Sequence, residues 1–232
     1  MDGRLDRRSL IRRAAGLGLS ATALTALAGG RFSGVASAGA LLQTDPASGT
    51  KGGTLRVATI GEPPHLDEHQ STAEIIAIIG FVAYEGLFTY DAKYQPIPEL
   101  VETHTESADG LTHTMVLRKG VKFHNGEELK AADAIASVQR WGRISGVGKR
   151  IIAVTTSLEA SDDYTLVWKL KQRYGTMLIG LAHNTQACTI HPKSILDKAG
   201  DDPITDSTMY IGTGPYKLSE WKKDAYMRFE RF

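Results

Sequence analysis

Residues 111–141 read Leu111-Thr-His-Thr-Met-Val-Leu-Arg-Lys-Gly120-Val-Lys-Phe-His-Asn-Gly-Glu-Glu-Leu-Lys130-Ala-Ala-Asp-Ala-Ile-Ala-Ser-Val-Gln-Arg140-Trp141. The first part alternates. Leu111, His113, Met115 and Leu117 share one side, and Thr112, Thr114, Val116 and Arg118 the other, which predicts a strand with one face on a core. Gly120 turns the chain, residues 121–123 are extended, and Asn125-Gly126 supplies a tight turn. From Ala131 the period becomes helical. Ala131, Ala134, Ile135, Val138 and Trp141 form a stripe, with Asp133, Gln139 and Arg140 off it. The unit is strand, turn, amphipathic helix.

The Leu-Arg-Lys-Gly-Val-Lys-Phe-His-Asn-Gly-Glu run, the Ala-x-Asp helix start and the Ser-x-x-Arg-Trp helix end also carry a resemblance. They resemble the extracytoplasmic solute-binding proteins of peptide- and nickel-type ABC importers, family 5. Residues 53–59, 84–91, 96–100 and 211–221 agree in the same order. The departure is Lys130, where the family has Thr or Ser as N-cap. A lysine cannot accept hydrogen bonds from first-turn amides, so a weaker helix start is expected.

The resemblance implies a mixed α/β fold of the periplasmic-binding-protein type II kind. The chain would be truncated at its C-terminus: an incomplete first lobe (residues 53–90 and 193–232), a smaller inserted α+β domain (residues 91–192), and no second large lobe. It also implies a binding protein and not an enzyme. Two lobes flank a cleft, ligand favours the closed form, and a membrane permease reads closure. The implied ligand is a di- or oligopeptide held by backbone hydrogen bonds. A nickel chelate or another small solute is the alternative.

Of the 232 residues, 27 are basic and 26 acidic, but six of the basic and only two of the acidic ones precede Gly39. The rest carries 21 basic and 24 acidic residues, a net charge of −3, which gives no electrostatic case for nucleic acid. The early basic residues belong to a leader. Arg7-Arg8-Ser9-Leu10-Ile11 is a twin-arginine pattern, residues 14–30 are small and apolar, and Ala36-Ser37-Ala38 is a small-x-small cleavage site. Residues 1–38 are therefore expected to be a signal peptide read by the twin-arginine translocase, followed by a flexible linker over residues 39–52. The destination is the periplasm or another extracytoplasmic space, as a monomer. Lipidation needs a cysteine at the cleavage point, and the single cysteine is Cys188. One cysteine allows no intrachain disulfide, and its apolar setting predicts a small buried side chain in a strand.

Further along, residues 53–59 alternate as a strand. His65-Leu66-Asp67-Glu68-His69 matches the His-x-x-Glu-His pattern of a zinc hydrolase, which requires both histidines on one helix face. Pro63-Pro64 precede it and Ser71-x-x-Glu74 reads as a capping box after it, so a polar loop is expected instead. A helix is predicted over residues 73–85, closed by Gly86 and packed inside the lobe, then a strand over residues 87–90. Residues 152–158 and 164–170 predict a hairpin, residues 175–182 and 192–199 two helices, and residues 216–221 and 225–232 a second hairpin. No catalytic set, cofactor motif or metal site is read. The expected ligand-binding residues are Ser71, Thr72, Ala73 and Glu74, at a loop-to-helix junction whose free amides can hold a carbonyl or carboxylate.

Overall fold

The structure, a computed structural model, describes residues 52–232. The leader and nearly all of the linker lie outside the described residues. The core sheet is built from β3 (Val101–Glu106), β4 (Thr112–Leu117), β5 (Thr155–Asp162) and β6 (Thr165–Leu170), all antiparallel, in the order β3-β4-β6-β5. Along β4, His113, Met115 and Leu117 are buried, as alternation requires, and Met115 pairs with Leu166 and His113 with Trp168 on β6. A smaller pair joins β1 (Phe88–Tyr90) to β2 (Pro96–Pro98), and β7 (Tyr216–Lys222) and β8 (Tyr226–Arg231) close the chain as a hairpin.

The long helix α2 (Ala131–Ile144) lays Ala131, Ala134, Val138 and Trp141 into the core. Its start lacks a side-chain cap from Lys130, as expected. Two other groups compensate: the Ala131 amide donates to the Asp163 carbonyl at 2.7 Å, and Asp133 accepts from the Lys130 amide at 2.9 Å. The Lys130 ammonium turns away to Tyr164 and to Asp163, 3.4 Å off.

Two apolar clusters result. One gathers the sheet, α2 and the segment ending at Ile190; the other gathers Leu66, Ile79, Ala83, Tyr84, Ile195, Leu196, Ile204 and Tyr210. At the second, Gly212 and Gly214 lie directly on the Ala83 backbone. A Cβ on Gly212 would stand 2.2 Å from the Ala83 carbonyl oxygen, so only glycine allows this approach.

Several expectations fail for identifiable reasons. Residues 53–59 form no strand; Leu55 and Val57 are 88% and 71% exposed, because a strand needs a hydrogen-bonded neighbour and none is present among the described residues. The first helix, α1, runs only over Glu74–Gly80, and Ile78 on its outer side is exposed. Gly86 does not cap it. It forms an isolated bridge with Thr189, which is also all that exists of the strand expected around Cys188, since Gln186 at φ 51 bends the chain out of it. Residues 152 and 153 belong to a helix, α3 (Gly146–Ala153), started by Ser145, whose hydroxyl accepts from the Val147 and Gly148 amides. Strand β3 is an addition to the sequence reading. The helices α4 (Met177–Leu181) and α5 (Lys193–Ala199) stand close to where expected.

Candidate functional site

The expected ligand junction is a surface feature. Ser71 is half-buried, and Thr72, Ala73 and Glu74 are exposed. Ser71 and Ala73 have extended backbones. The capping box is not made: Ala73 is the N-cap of α1, and the Ser71 hydroxyl instead accepts from the Ala73 amide at 3.1 Å. Among the described residues, neither backbone group of Thr72 has a hydrogen-bond partner. At this junction the Thr72 peptide groups are open, while the Ala73 amide and carbonyl are already engaged by the Ser71 hydroxyl and the Ile76 amide.

Directly before it, the segment read as a polar loop is buried. Asp67, which caps a short 3-10 turn (Glu68–Gln70), and His69 within that turn are wholly inaccessible. The reason is Arg140, read as lying off the apolar stripe and found 1% exposed. Its Nη1 donates to Asp67 Oδ1 at 3.1 Å and its Nη2 to Oδ2 at 2.7 Å, a two-pronged pair. Its Nε donates to the Gly200 carbonyl and Nη2 also to the Asp202 carbonyl, each at 2.7 Å. Asp67 accepts as well from the amides of His69 and Ile204, at 3.1 Å each. Burial alone would raise the Asp67 pKa; the Arg140 hydrogen bonds and the charges of His69 and Arg140 outweigh it and bring it to about 2.

Arg140 also fixes the proton of His69. A guanidinium only donates, so His69 Nδ1, 3.1 Å from Nη1, accepts, and Nε2 carries the hydrogen to the Thr189 carbonyl at 2.8 Å. Burial, with Arg140 adding to it, lowers the His69 pKa to about 4. His191 packs edge-on to His69 with ring centroids 5.2 Å apart, meets the Thr189 hydroxyl at 3.0 Å, and burial lowers it to about 3. Both ring nitrogens of His69 are thus engaged, which leaves no lone pair for zinc and corrects the hydrolase pattern of His65, Glu68 and His69. Among the described residues, no three His, Cys, Asp or Glu side chains are grouped to hold a metal. The cluster ties the turn, α2 and the 189–204 segment together. Sequence periodicity missed it; the signals were the Leu66-Asp67 and Ser137-x-x-Arg140-Trp141 patterns, which local spacing cannot connect.

This architecture is a mixed α/β unit, and the solved binding proteins it matches, about a third of whose length it covers, give it the type II periplasmic-binding-protein kind. The chain belongs to the bacterial extracellular solute-binding proteins, family 5; the family 5 Middle profile matches residues 95–232. It is 33% identical over 189 residues to the oligopeptide-binding protein AppA of Bacillus subtilis (strain 168), covering 78% of this chain and 34% of AppA. The solved structure of AppA in complex with a nonapeptide matches with a TM-score of 0.61 at 31% identity, over 75% of this chain and 35% of that one. NikZ from Campylobacter jejuni in complex with Ni(L-His) matches with a TM-score of 0.60 at 25% identity, over 74% and 34%. The chain spans about a third of the length of these relatives.

Proposed function

We propose that this chain is part of the extracytoplasmic substrate-binding component of an ABC importer, and that its substrates are di- or oligopeptides. The observation that carries the reading is the exposed junction Ser71–Thr72–Ala73–Glu74, extended and with free Thr72 peptide groups, in a chain similar to an oligopeptide-binding protein. An extended peptide laid there gains main-chain hydrogen bonds without regard to its side chains. No catalytic step is assigned. The partners would be a membrane permease and, during export, the twin-arginine translocase, with the mature protein a periplasmic or otherwise extracytoplasmic monomer and not a lipoprotein. Residues 53–90 and 193–232 would form the first lobe around the Tyr84 cluster, and residues 91–192 the inserted domain around the sheet.

A second reading, a nickel chelate as cargo, is favoured by the likeness to NikZ. Calorimetry separates the two. In a version that carries both lobes of the cleft, short peptides are expected to bind and Ni(L-His) not to, and Thr72→Trp is expected to abolish peptide binding while leaving the fold intact. Equal peptide affinity in that variant would move the site away from the junction; binding of Ni(L-His) alone would favour the second reading. For export, replacing Arg7 and Arg8 by Lys is expected to hold precursor in the cytoplasm, and normal secretion would remove the twin-arginine assignment.

A further inference from the structure

A cavity of about 350 Å³ is lined in part by Glu68 of the buried turn and by none of residues 71–74. Its wall includes Glu68, Tyr84, Phe88, Tyr90, Glu99 and Cys188. Asp91 adds a third carboxyl, and no lysine or arginine lines the space. The wall is thus acidic and aromatic at once.

Two of its polar groups are unanswered. Glu68 is 2% exposed and neither carboxylate oxygen has a hydrogen-bond partner; Tyr84 is 4% exposed and its hydroxyl has none. Glu68 is held in place: a Cβ on Gly80 would stand 1.8 Å from Glu68 Oε1, so the helix carries glycine where the carboxyl rests. Glu99 has one oxygen committed, accepting the Gly86 amide at 2.7 Å. Burial first, then the negative charges of Asp67 and Glu99, push the Glu68 pKa up to about 8; burial first, with Glu85 adding to it, pushes Glu99 up to about 7. Burial dominates both shifts, and among the described residues no lysine or arginine side chain pairs with either carboxyl to offset it.

What would supply a positive charge there is an organic cation. Metal-type grouping of ligands is absent among the described residues. The rings of Tyr84, Phe88 and Tyr90 suit a methylene chain, and their faces attract an ammonium. The volume is that of a small-molecule pocket. We infer that this cavity is a second binding site, for a small aliphatic amine, whose ammonium sits between the Glu68 and Glu99 carboxyls and whose chain lies against the aromatic wall. The inference goes beyond the peptide reading and does not rest on it.

The test uses the chain as it stands, titrated calorimetrically at pH 8 with 1,5-diaminopentane and, separately, with neutral 1,5-pentanediol. Saturable binding of the diamine, about tenfold or more tighter than the diol, is expected, with Glu68→Gln and Glu99→Gln each weakening it by about tenfold or more. Thr72→Trp is expected to leave it unchanged, which separates this site from the peptide junction. Circular dichroism melts check that the variants fold; should Glu68→Gln unfold, Glu99→Gln and the diamine-to-diol contrast in the native sequence decide. Equal affinity for diamine and diol, no saturable diamine binding, or native affinity in folded glutamine variants would overturn the inference.

Discussion

Arg140 and Asp67, 73 positions apart, meet through two hydrogen bonds of 3.1 and 2.7 Å in a site closed to water. An ion pair so buried is costly to create and costlier to break from one side, since the survivor stays buried and unpaired. Arg140→Leu is expected to destabilise the fold by about 3–5 kcal/mol in urea unfolding. Arg140→Lys should recover little, because an ammonium cannot reach both Asp67 oxygens and the Gly200 and Asp202 carbonyls together. A lysine variant as stable as the parent would show that charge alone, without the fork, sustains the junction.

Glu68 gives stability an inverted pH dependence. Its folded pKa, about 8, lies above the ordinary 4.5, so above pH 4.5 the unfolded chain releases a proton that the folded one keeps. Stability contributed by the protonated form is therefore lost as pH rises from 4.5 to 8, and Glu99 acts in the same direction up to about 7. His69 and His191, lowered to about 4 and 3, oppose this by losing stability as pH falls below 6.5. At about 1.4 kcal/mol per pKa unit, Glu68→Gln is expected to gain on the order of 4 kcal/mol at pH 8 relative to its effect at pH 4. Denaturant titrations at the two pH values measure it; a pH-independent difference would mean that the carboxyl ionises freely.

Gly80 and Glu68 should be coupled. Gly80 sits in α1 without a positive φ, so alanine there would ordinarily stabilise the helix by about 0.5–1 kcal/mol. The new Cβ meets the Glu68 carboxyl instead. Gly80→Ala is expected to destabilise the native sequence and to become neutral or stabilising beside Glu68→Ala, a coupling of about 0.5–3 kcal/mol. Additive effects in the double-mutant cycle would place the carboxyl elsewhere.

The contrast between α2 and the Asp67 turn explains what the sequence could disclose. Trp141, Val138, Ala134 and Ala131 announce their burial through spacing alone, because the helix itself puts them on one face. Met115 and Leu117 do the same by alternation. Arg140 carries no such local mark: its burial depends on a carboxylate and two carbonyls from distant segments. Alternation at residues 53–59 fails for the converse reason, since a period describes faces and cannot provide a pairing strand. Ile152 shows a competition, where apolar alternation suggested a strand and the Ser145 cap with Gly148 against Trp141 favours a helix. The Ser71-x-x-Glu74 spacing that reads as a capping box is not used as one, because α1 starts only at Glu74, with Ala73 as its N-cap, and the Ser71 hydroxyl accepts from the Ala73 amide.

Cys188 reports on how this structure opens. Its thiol is 2% exposed in the wall of the acidic cavity, and burial pushes its pKa well above the ordinary thiol value. Only the thiolate attacks a disulfide reagent, so the native thiol is protected twice, by access and by protonation. Labelling with an aromatic disulfide at pH 8 is expected to be slow in the native chain and complete at one thiol per chain in urea. Where opening is fast relative to reaction, the rate follows the population of open molecules. Arg140→Leu, by loosening the segment that runs through Thr189, should then accelerate labelling in proportion to its lost stability. Rapid labelling of the native chain would show that the cavity wall around Cys188 opens locally, independently of the Arg140 junction.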